Sequence, residues 1–179
     1  MKELLKGTRT EANLRSAFSG ESKARNRYSY YSEIAKSEGY DIIAKFFEDT
    51  ANNEKAHAKA WYKLLNGNIL PNTQQSLEEA IKGEYFEHTE MYPQFAQIAR
   101  EEGFETIATL FEGIAEVEKK HEQQFQKVLE SLSEGKELEF RTPDTTCLNC
   151  GHDFTKTENV DKCPICESSS AFFIQKHQE

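Results

Sequence analysis

Apolar residues recur at intervals of three and four between Leu14 and Leu132, which is the period of an amphipathic α-helix. The recurrence falls into four stripes, and glycine-centred breaks at 38–40 and 102–104 divide the first stripe from the second and the third from the fourth. The stripes begin at Leu14, Ile43, Leu77 and Ile107. The pattern therefore predicts four long helices, followed by a loop-rich tail that lacks the helical period.

Acidic and imidazole side chains interrupt these apolar stripes at matching places. The second and fourth stripes each carry the motif E-x-x-H, and the first and third each carry a single Glu. Because residues three apart lie on one face of a helix, each E-x-x-H presents a carboxylate and an imidazole side by side. Two such helices and a Glu from each of two others form the ligand set of a dimetal site inside an all-α four-helix bundle. The six predicted ligands are Glu21, Glu54, His57, Glu84, Glu118 and His121.

The two halves of this pattern form an internal repeat. Residues 34–57 align with residues 98–121 at an offset of 64, whereas Glu21 and Glu84 are only 63 apart. One extra residue therefore lies in the third helix, where a Met-Tyr-Pro sequence starts at Met91. A single inserted residue is commonly absorbed as a π-bulge near a functional site, so we expect a local widening of this helix beside the ligands.

A solvated pair on an exposed face is the alternative interpretation of any single E-x-x-H in a chain with 31 acidic residues. Two copies at a constant offset, both on apolar stripes, favour the metal site. A buried unpaired carboxylate carries an effective penalty of roughly several kcal/mol, and no Lys or Arg on the same stripes offsets it, whereas metal cations would. A fifth acid, Glu87, lies three residues after Glu84 and is predicted to face the same site; its alternative is an exposed acid at the helix edge.

The charge of the chain limits its partners. A net charge of −9 argues against nucleic acid, because phosphate binding needs a surplus of Lys and Arg. No apolar run approaches the length of a membrane span, and the N-terminal residues open no signal-peptide core. We therefore expect a cytoplasmic protein that has no membrane or nucleic-acid partner.

All four cysteines lie in the last 33 residues, as two C-x-x-C motifs with twelve residues between them. This spacing is typical of a tetrahedral four-cysteine metal site, which takes either iron or zinc. Gly135 is a predicted helix stop. The predicted organisation is a bundle over 1–135, a linker over 136–143 and a metal domain over 144–179. The four predicted ligands are Cys147, Cys150, Cys163 and Cys166.

Several stretches around the predicted ligands carry a family resemblance. They are Phe18-Ser-Gly-Glu-Ser-Lys-Ala-Arg, Gly83-Glu-Tyr-Phe-Glu-His-Thr, Met91-Tyr-Pro-Gln-Phe and Glu101-Glu-Gly-Phe. With them, the chain resembles the rubrerythrins, a family with a ferritin-like diiron bundle. The Cys-Pro-x-Cys motif of the tail looks like the rubredoxin-type domain of that family, although Glu167 stands where a glycine often follows.

The resemblance implies two iron ions bridged by carboxylates and an oxo or hydroxo group, and a third iron held by the four cysteines. It makes Glu54 and Glu118 the bridging ligands. It also implies that the first iron moves with redox state and exchanges His57 for Glu87. The remaining implied ligands are Glu21 and Glu84, each terminal, and His121 on the second iron.

The implied activity is that of a non-haem peroxidase, which reduces hydrogen peroxide to water with electrons relayed through the four-cysteine iron, in defence against oxidative stress. The resemblance also implies an NAD(P)H-dependent rubredoxin reductase or a rubredoxin as the electron donor. Because the chain has no Gly-rich dinucleotide motif, any nicotinamide is expected to bind such a separate protein. Tyr28 is either a hydrogen-bond donor at the site or part of the core. The alternatives are a ferritin-like protein that oxidises or stores iron, and a metal-binding protein without enzymatic activity.

A homodimer with exchanged helices is expected from the lengths of the helices and of the loop between the second and third. In a ferritin-like bundle these two helices run parallel, so a loop from Asn66 to about Leu77 would have to return roughly 28 Å along the bundle. Its eleven or so steps span at most about 36–40 Å, so a return within one chain needs a nearly taut loop, and passing the second helix pair to a neighbouring subunit relieves this constraint. The fourth helix is expected to carry the tail about 20 Å from His121, so that a neighbouring subunit's tail would lie closer.

Overall fold

The computed structural model describes residues 2–136, 146–154 and 161–169, and within these ranges the chain is helical without extended strands. A short helix α1 is followed by two long helices, α2 and α3. Helices α4 and α5 are continuous through one π-helical turn, and α6 is the last. The bounds are α1 Lys2–Leu5, α2 Arg9–Ser37, α3 Asp41–Leu65, α4 Thr73–Phe86, the π-helical turn Glu87–Met91, α5 Tyr92–Glu101 and α6 Glu105–Glu134.

The chain divides into two compact units, Met1–Pro71 and Asn72–Glu179. The first unit is built on the antiparallel pair α2 and α3. In the second unit, α4, the π-helical turn and α5 pack against α6. Four long helical segments are therefore present, and the predicted all-α class is confirmed.

Local sequence explains where these helices begin and end. The hydroxyl of Thr8 accepts a hydrogen bond from the amide of Glu11 and caps α2. Gly135 ends α6 in the left-handed conformation, as predicted. The third long helix begins at Thr73 rather than near the predicted Leu77, because Asn72 and Gln75 form a capping box around a polar first turn that gives no apolar signal.

The internal repeat is visible in the two tight turns. Gly39 and Gly103 both have φ +84°, which only glycine adopts at little cost. The amide of Tyr40 donates to the carbonyl of Ala35 at 2.8 Å, and the equivalent bond in the second unit is 2.7 Å long. The predicted widening of the third helix is confirmed as the π-helical turn Glu87–Met91, which begins three residues after the predicted ligand Glu84.

Alanines form the contact between the helices of each unit. Ala108 is fully buried and lies with Ala96 and Ala99 where α5 meets α6, so the helices approach closely. Large apolar side chains remain exposed in both units; they include Ile34, Phe46, Ile98 and Ile107. Exposed apolar surface of this kind is typical of a face that another protein surface covers.

The tail contains two turns of the same design. The amide of Gly151 donates to the carbonyl of Cys147 at 2.8 Å, and the amide of Glu167 donates to that of Cys163 at 2.9 Å. Glu167 adopts φ +57°, so it takes the left-handed conformation of the glycine that it replaces. Most of the predicted linker 136–143 lies outside the described residues, and the domain boundaries remain a prediction.

No helix in the described part of the chain is both long and apolar enough to cross a membrane.

Candidate metal centres

The first unit brings together three of the predicted ligands. Nδ1 of His57 lies 2.9 Å from a carboxylate oxygen of Glu54 and 4.0 Å from one of Glu21. The i, i+3 spacing on α3 places the first pair, and α2 supplies the other carboxylate. The imidazole is 57% exposed, so this group lies on an open face of its unit.

The second unit repeats the arrangement. Nδ1 of His121 lies 2.7 Å from a carboxylate oxygen of Glu118 and 3.7 Å from Oε2 of Glu84. In each group of three, one donor atom per residue lies within 4.8 Å of the others. The six residues predicted from the repeat thus form two matching half-sites, one in each unit.

Glu87 lies on the π-helical turn beside the second half-site but does not belong to its group of three. Its side chain is half-buried, and burial, followed by the negative charge of Glu118, raises its pKa above the usual range. Glu87 is therefore close enough to interact electrostatically with Glu118, but it is not one of the three residues that form the half-site.

Carboxylates crowd together in the second half-site. Burial, and then the hydrogen bond and charge of Glu118, raise the pKa of Glu84 to about 7. Oε2 of Glu84 is buried without a hydrogen-bond partner among the described residues. A carboxylate oxygen without a hydrogen-bond partner, further carboxylates and an imidazole are together the donors of a cation site. The donor atoms of these residues therefore suit an iron ion.

The sequence did not reveal three residues near this half-site. The first is Tyr92, whose pKa is raised by burial and then by the charge of Glu118. Tyr92 stands 64 positions after Tyr28, so the offset of the internal repeat could have identified it. Nε2 of His88 lies 2.7 Å from a carboxylate oxygen of Glu122, which ties the π-helical turn to α6. Nothing in the sequence pattern indicated that pair.

Tyr28 packs in an aromatic group of the first unit, with its ring centroid 6.3 Å from that of Phe47. In the tail, the sequence predicts exposed polar histidines at 152 and 177 and a small aromatic core of Phe154, Phe172 and Phe173. His152 is half-buried instead, with its ring edge-on to Phe154. Phe172, Phe173 and His177 lie outside the described residues.

The four cysteines converge in the tail. Sγ of Cys147 lies 3.7 Å from Sγ of Cys166, and Sγ of Cys150 lies 3.6 Å from Sγ of Cys163. These separations exclude disulfides, which need about 2 Å. They match the edge of a tetrahedron with metal–sulfur bonds of about 2.3 Å, which is about 3.8 Å.

Thiolate character is already favoured at one of the four sulfurs. Burial opposes ionisation of Cys166, but its hydrogen bonds with the side chain and backbone of Ser168 lower its pKa to about 6. Burial instead raises the pKa of the Cys150 thiol. A bound cation would stabilise the remaining thiolates, so this donor set also fits a metal ion.

The tail lies against α6 of its own chain, close to His121. The sequence had instead favoured a neighbouring subunit's tail at this position. Nζ of Lys120 lies 3.0 Å from a carboxylate oxygen of Asp153. A cavity of about 380 Å³ is lined by His121, Cys147 and Cys150 among others. Helix α6 does run thirteen residues, about 20 Å, beyond His121 before the linker starts. The ten residues 136–145 can span about 33–36 Å when extended, which is enough for the tail to reach His121 of the same chain.

Comparison with known proteins identifies the family. The family profile described as Rubrerythrin matches residues 12–129, about two thirds of the chain. The chain is 41% identical to Rubrerythrin of Nitratidesulfovibrio vulgaris, with 94% of this chain and 95% of the relative covered. It is 39% identical to Rubrerythrin of Porphyromonas gingivalis, with coverage of 97% and 92%. The chain belongs to the rubrerythrin family.

A third relative, Putative rubrerythrin of Methanocaldococcus jannaschii, is 40% identical over 98% of this chain and 94% of its own length. Rubrerythrins are ferritin-like diiron proteins generally linked to oxidative stress, and this member carries the Glu and His groups of the diiron site and the four-cysteine cluster of a rubredoxin-like iron site. The assignment of terminal, bridging and exchanging roles to individual residues remains a prediction.

Proposed function

We propose that this rubrerythrin is a peroxide reductase that converts hydrogen peroxide, two protons and two electrons into two molecules of water. The observation that carries the proposal is the position of the four-cysteine unit against α6, beside the imidazole of His121. A one-electron metal site next to a dinuclear site suits a two-electron reduction that is replenished one electron at a time. When bound, the iron pair supplies the two electrons that peroxide accepts.

The residues of the chain hold the irons and manage protons. In this proposal Glu21, Glu54 and His57 bind from one half-site, and Glu84, Glu118 and His121 bind from the other. Glu87, as a surplus carboxylate, and His57 would be alternative ligands of the first iron.

The phenol of Tyr92 is suited to donate a hydrogen bond to oxygen at this centre. Burial and the neighbouring carboxylates raise its pKa, so the O–H stays protonated at neutral pH. A half-buried phenol next to several carboxylates is a hydrogen-bond donor in a group composed mostly of acceptors. Tyr92 therefore complements the carboxylates of this site.

Electrons reach the four-cysteine iron from a separate protein in this proposal, either an NAD(P)H-dependent rubredoxin reductase or a rubredoxin. The chain carries no Gly-rich dinucleotide motif of its own. We further propose a cytoplasmic location, where such reductants are available.

Anaerobic stopped-flow mixing of the reduced, iron-loaded protein with hydrogen peroxide or with dioxygen tests the activity. We expect peroxide to oxidise the protein faster than dioxygen at equal concentration, with one peroxide consumed per two electrons. Glu118→Ala, which removes a proposed bridge, is the control. Faster oxidation by dioxygen with accumulation of ferric mineral would favour the ferritin-like alternative, and absence of turnover with either oxidant would favour a metal-binding protein.

We also propose that the two half-sites of one diiron centre come from different chains of a homodimer. Helix α3 continues eleven residues past Glu54 and α4 begins eleven residues before Glu84, which corresponds to about 16 Å each at 1.5 Å per residue. If the two helices ran parallel in one bundle, the connection would have to return about 33 Å. The eight steps from Leu65 to Thr73 span at most about 26–29 Å.

The observed helix bounds therefore strengthen the argument from the sequence. The earlier start of α4 lengthens the required return and shortens the loop that must make it. Exchange of the α2–α3 pair between two chains removes the constraint, because each loop then connects two different bundles. It would also cover the exposed apolar residues of both units.

Mixed dimers distinguish exchange from ordinary dimerisation. A heterodimer of Glu54→Ala and Glu118→Ala chains, isolated with two affinity tags, contains one fully wild-type site if helices are exchanged and none if they are not. A heterodimer of wild type with the Glu54→Ala/Glu118→Ala double variant gives the opposite result. We expect iron to be restored to one site in the first heterodimer only. Restoration in the second alone, or a fully active monomer, would refute helix exchange.

A further inference from the structure

A histidine on the π-helical turn is hydrogen-bonded to an acid on α6, beside the second half-site. Nε2 of His88 lies 2.7 Å from a carboxylate oxygen of Glu122, and the two side chains are only 13% and 12% exposed. We propose that His88 and Glu122 are positioning residues, which hold the π-helical turn on α6 in the register that directs Glu87 toward the half-site. The role of Glu87 as a ligand rests on the proposed function, whereas the positioning of the turn does not.

The two positioning residues are direct neighbours of site residues along the chain. His88 follows Glu87, and Glu122 follows the predicted ligand His121. Neighbouring side chains on a helix point about 100° apart, so anchoring one of them fixes the direction of the next. Glu87 in turn lies close enough to Glu118 for their charges to interact. The bond between the two positioning residues therefore sets how the turn that carries Glu87 is rotated relative to α6.

The π-helical turn is held both from within its own helix and from outside it. Such turns are rare and short, because they contain one residue more than an α-helical turn. Here the amide of Tyr92 donates to the carbonyl of Glu87, five residues earlier. The hydroxyl of Thr89 donates to the carbonyl of Tyr85 at 2.6 Å, within the same helix. His88 instead reaches a different helix, so it can fix where the turn lies on its neighbour.

Both carboxylate oxygens of Glu122 have a hydrogen-bond partner. One accepts the bond from Nε2 of His88, and the other accepts a bond from Nε2 of Gln126 at 2.8 Å. The ring of His88 also lies edge-on to that of Tyr85, with 5.6 Å between the centroids. A buried charged pair often adds little stability compared with apolar side chains of similar volume, but it requires one mutual arrangement. Fixing the register is therefore a better explanation of the bond than stability.

The first unit provides an internal comparison. Its helix α2 is α-helical throughout and contains no π-helical turn. Counted from the predicted ligands, the equivalents of the two positioning residues are Arg25 and Ala58. The side chain of Ala58 has no polar atom, so this hydrogen bond cannot form there. The equivalent of Glu87 is Ala24. The bond, the π-helical turn and the surplus carboxylate thus occur together in one half of the repeat, and the described helices of the other half have none of them.

Hydrogen exchange in full-length protein loaded with zinc tests the positioning without redox chemistry. The amide of Tyr92 closes the π-helical turn and reports its local opening, whereas the amide of Val117, in the middle of α6, reports unfolding of the unit. We expect His88→Ala to accelerate exchange at Tyr92, relative to Val117, by about tenfold or more. Gln97→Ala, which removes an exposed hydrogen bond on α5, is the matched control and should leave this ratio unchanged.

Two further variants separate the register of the turn from the packing of its side chains. His88→Gln keeps a hydrogen-bond donor near the position of Nε2 and should recover most of the protection of the Tyr92 amide. The double variant His88→Leu/Glu122→Leu keeps an apolar contact, so it should fold stably but exchange fast at Tyr92. An unchanged ratio in His88→Ala, or recovery in the double variant as complete as in His88→Gln, would overturn the proposal.

Mössbauer spectra of the oxidised diiron site, in iron-loaded protein, show whether Glu87 is displaced. We expect the spectrum of His88→Ala to match that of Glu87→Ala, and the spectrum of His88→Gln to match that of wild type. A wild-type spectrum in His88→Ala, where Glu87→Ala changes it, would overturn the positioning of Glu87. If Glu87→Ala itself leaves the spectrum unchanged, the ligand role of Glu87 in the proposed function is refuted, and hydrogen exchange at Tyr92 decides the positioning of the turn.

Discussion

Replacement of Glu84 by glutamine is expected to have opposite effects on the metal-free and the iron-loaded protein. Glutamine has nearly the same shape as glutamate and removes only the ionisable group. In the metal-free protein, Glu84 is a half-buried acid whose Oε2 has no hydrogen-bond partner among the described residues and whose neighbour is Glu118. Its charge is therefore unfavourable until a cation is bound.

The raised pKa sets the size of this effect. The pKa of Glu84 rises from 4.5 to about 7 through burial and the proximity of Glu118. One pKa unit corresponds to about 1.4 kcal/mol, which would give a penalty of up to about 3 kcal/mol. The side chain keeps 21% of its exposure, so solvent reduces the penalty, and we expect about 2 kcal/mol.

The direction of the pH dependence follows from proton binding. The folded state holds the proton of Glu84 up to about pH 7, whereas the unfolded chain releases it near pH 4.5. Stability is thus fully present below pH 4.5 and is lost as the pH rises to about 7, because the folded state binds more protons over that window. Glu84→Gln removes this loss, so the variant should be more stable than wild type at pH 8 and equal to it near pH 4.5.

Urea unfolding of metal-free protein at pH 4.5 and pH 8, at one fixed chain concentration, measures the difference. Glu116→Gln, which removes an exposed carboxylate from α6 of the same unit, is the control and should change stability by less than about 0.5 kcal/mol. In iron-loaded protein, Glu84→Gln should lower the iron content and the stability that the metal adds. Equal destabilisation of the metal-free variant at both pH values would refute the assignment of Glu84 as an uncompensated acid.

Three further predictions concern Glu87, Ala108 and the metal of the tail. Glu87→Ala should keep two irons but alter the spectral change on reduction, whereas Glu118→Ala should lose iron; equal losses measured by metal analysis would contradict the division into exchanging and bridging ligands. Ala108→Leu should destabilise the second unit by about 1–3 kcal/mol in urea unfolding, because a fully buried alanine lies where α5 meets α6. Natively produced protein should contain iron in the tail with thiolate-to-iron absorption; zinc alone there would argue against the electron relay.

The sequence alone determined the features that depend on neighbours along the chain. Helical period and the E-x-x-H spacing predicted that Glu54 lies beside His57 and Glu118 beside His121, because residues three apart share a helix face in any environment. The extra residue between Glu84 and Ile98 predicted the π-helical turn, because a single inserted residue is commonly absorbed within a helix as a π-bulge. The two C-x-x-C motifs predicted the cysteine cluster, since such turns bring both sulfurs to one side.

Only the tertiary structure decided which distant segments meet. The contact of Gly151 with His121, the rest of Ile165 on Gly113 and the His88–Glu122 pair join residues that are 30 to 52 positions apart, and no local period encodes them. A helix fixes distance only along its own length, so the 20 Å that α6 runs beyond His121 did not decide where the tail lies. In the structure the tail meets α6 through Gly151, Ile165 and the Lys120–Asp153 ion pair.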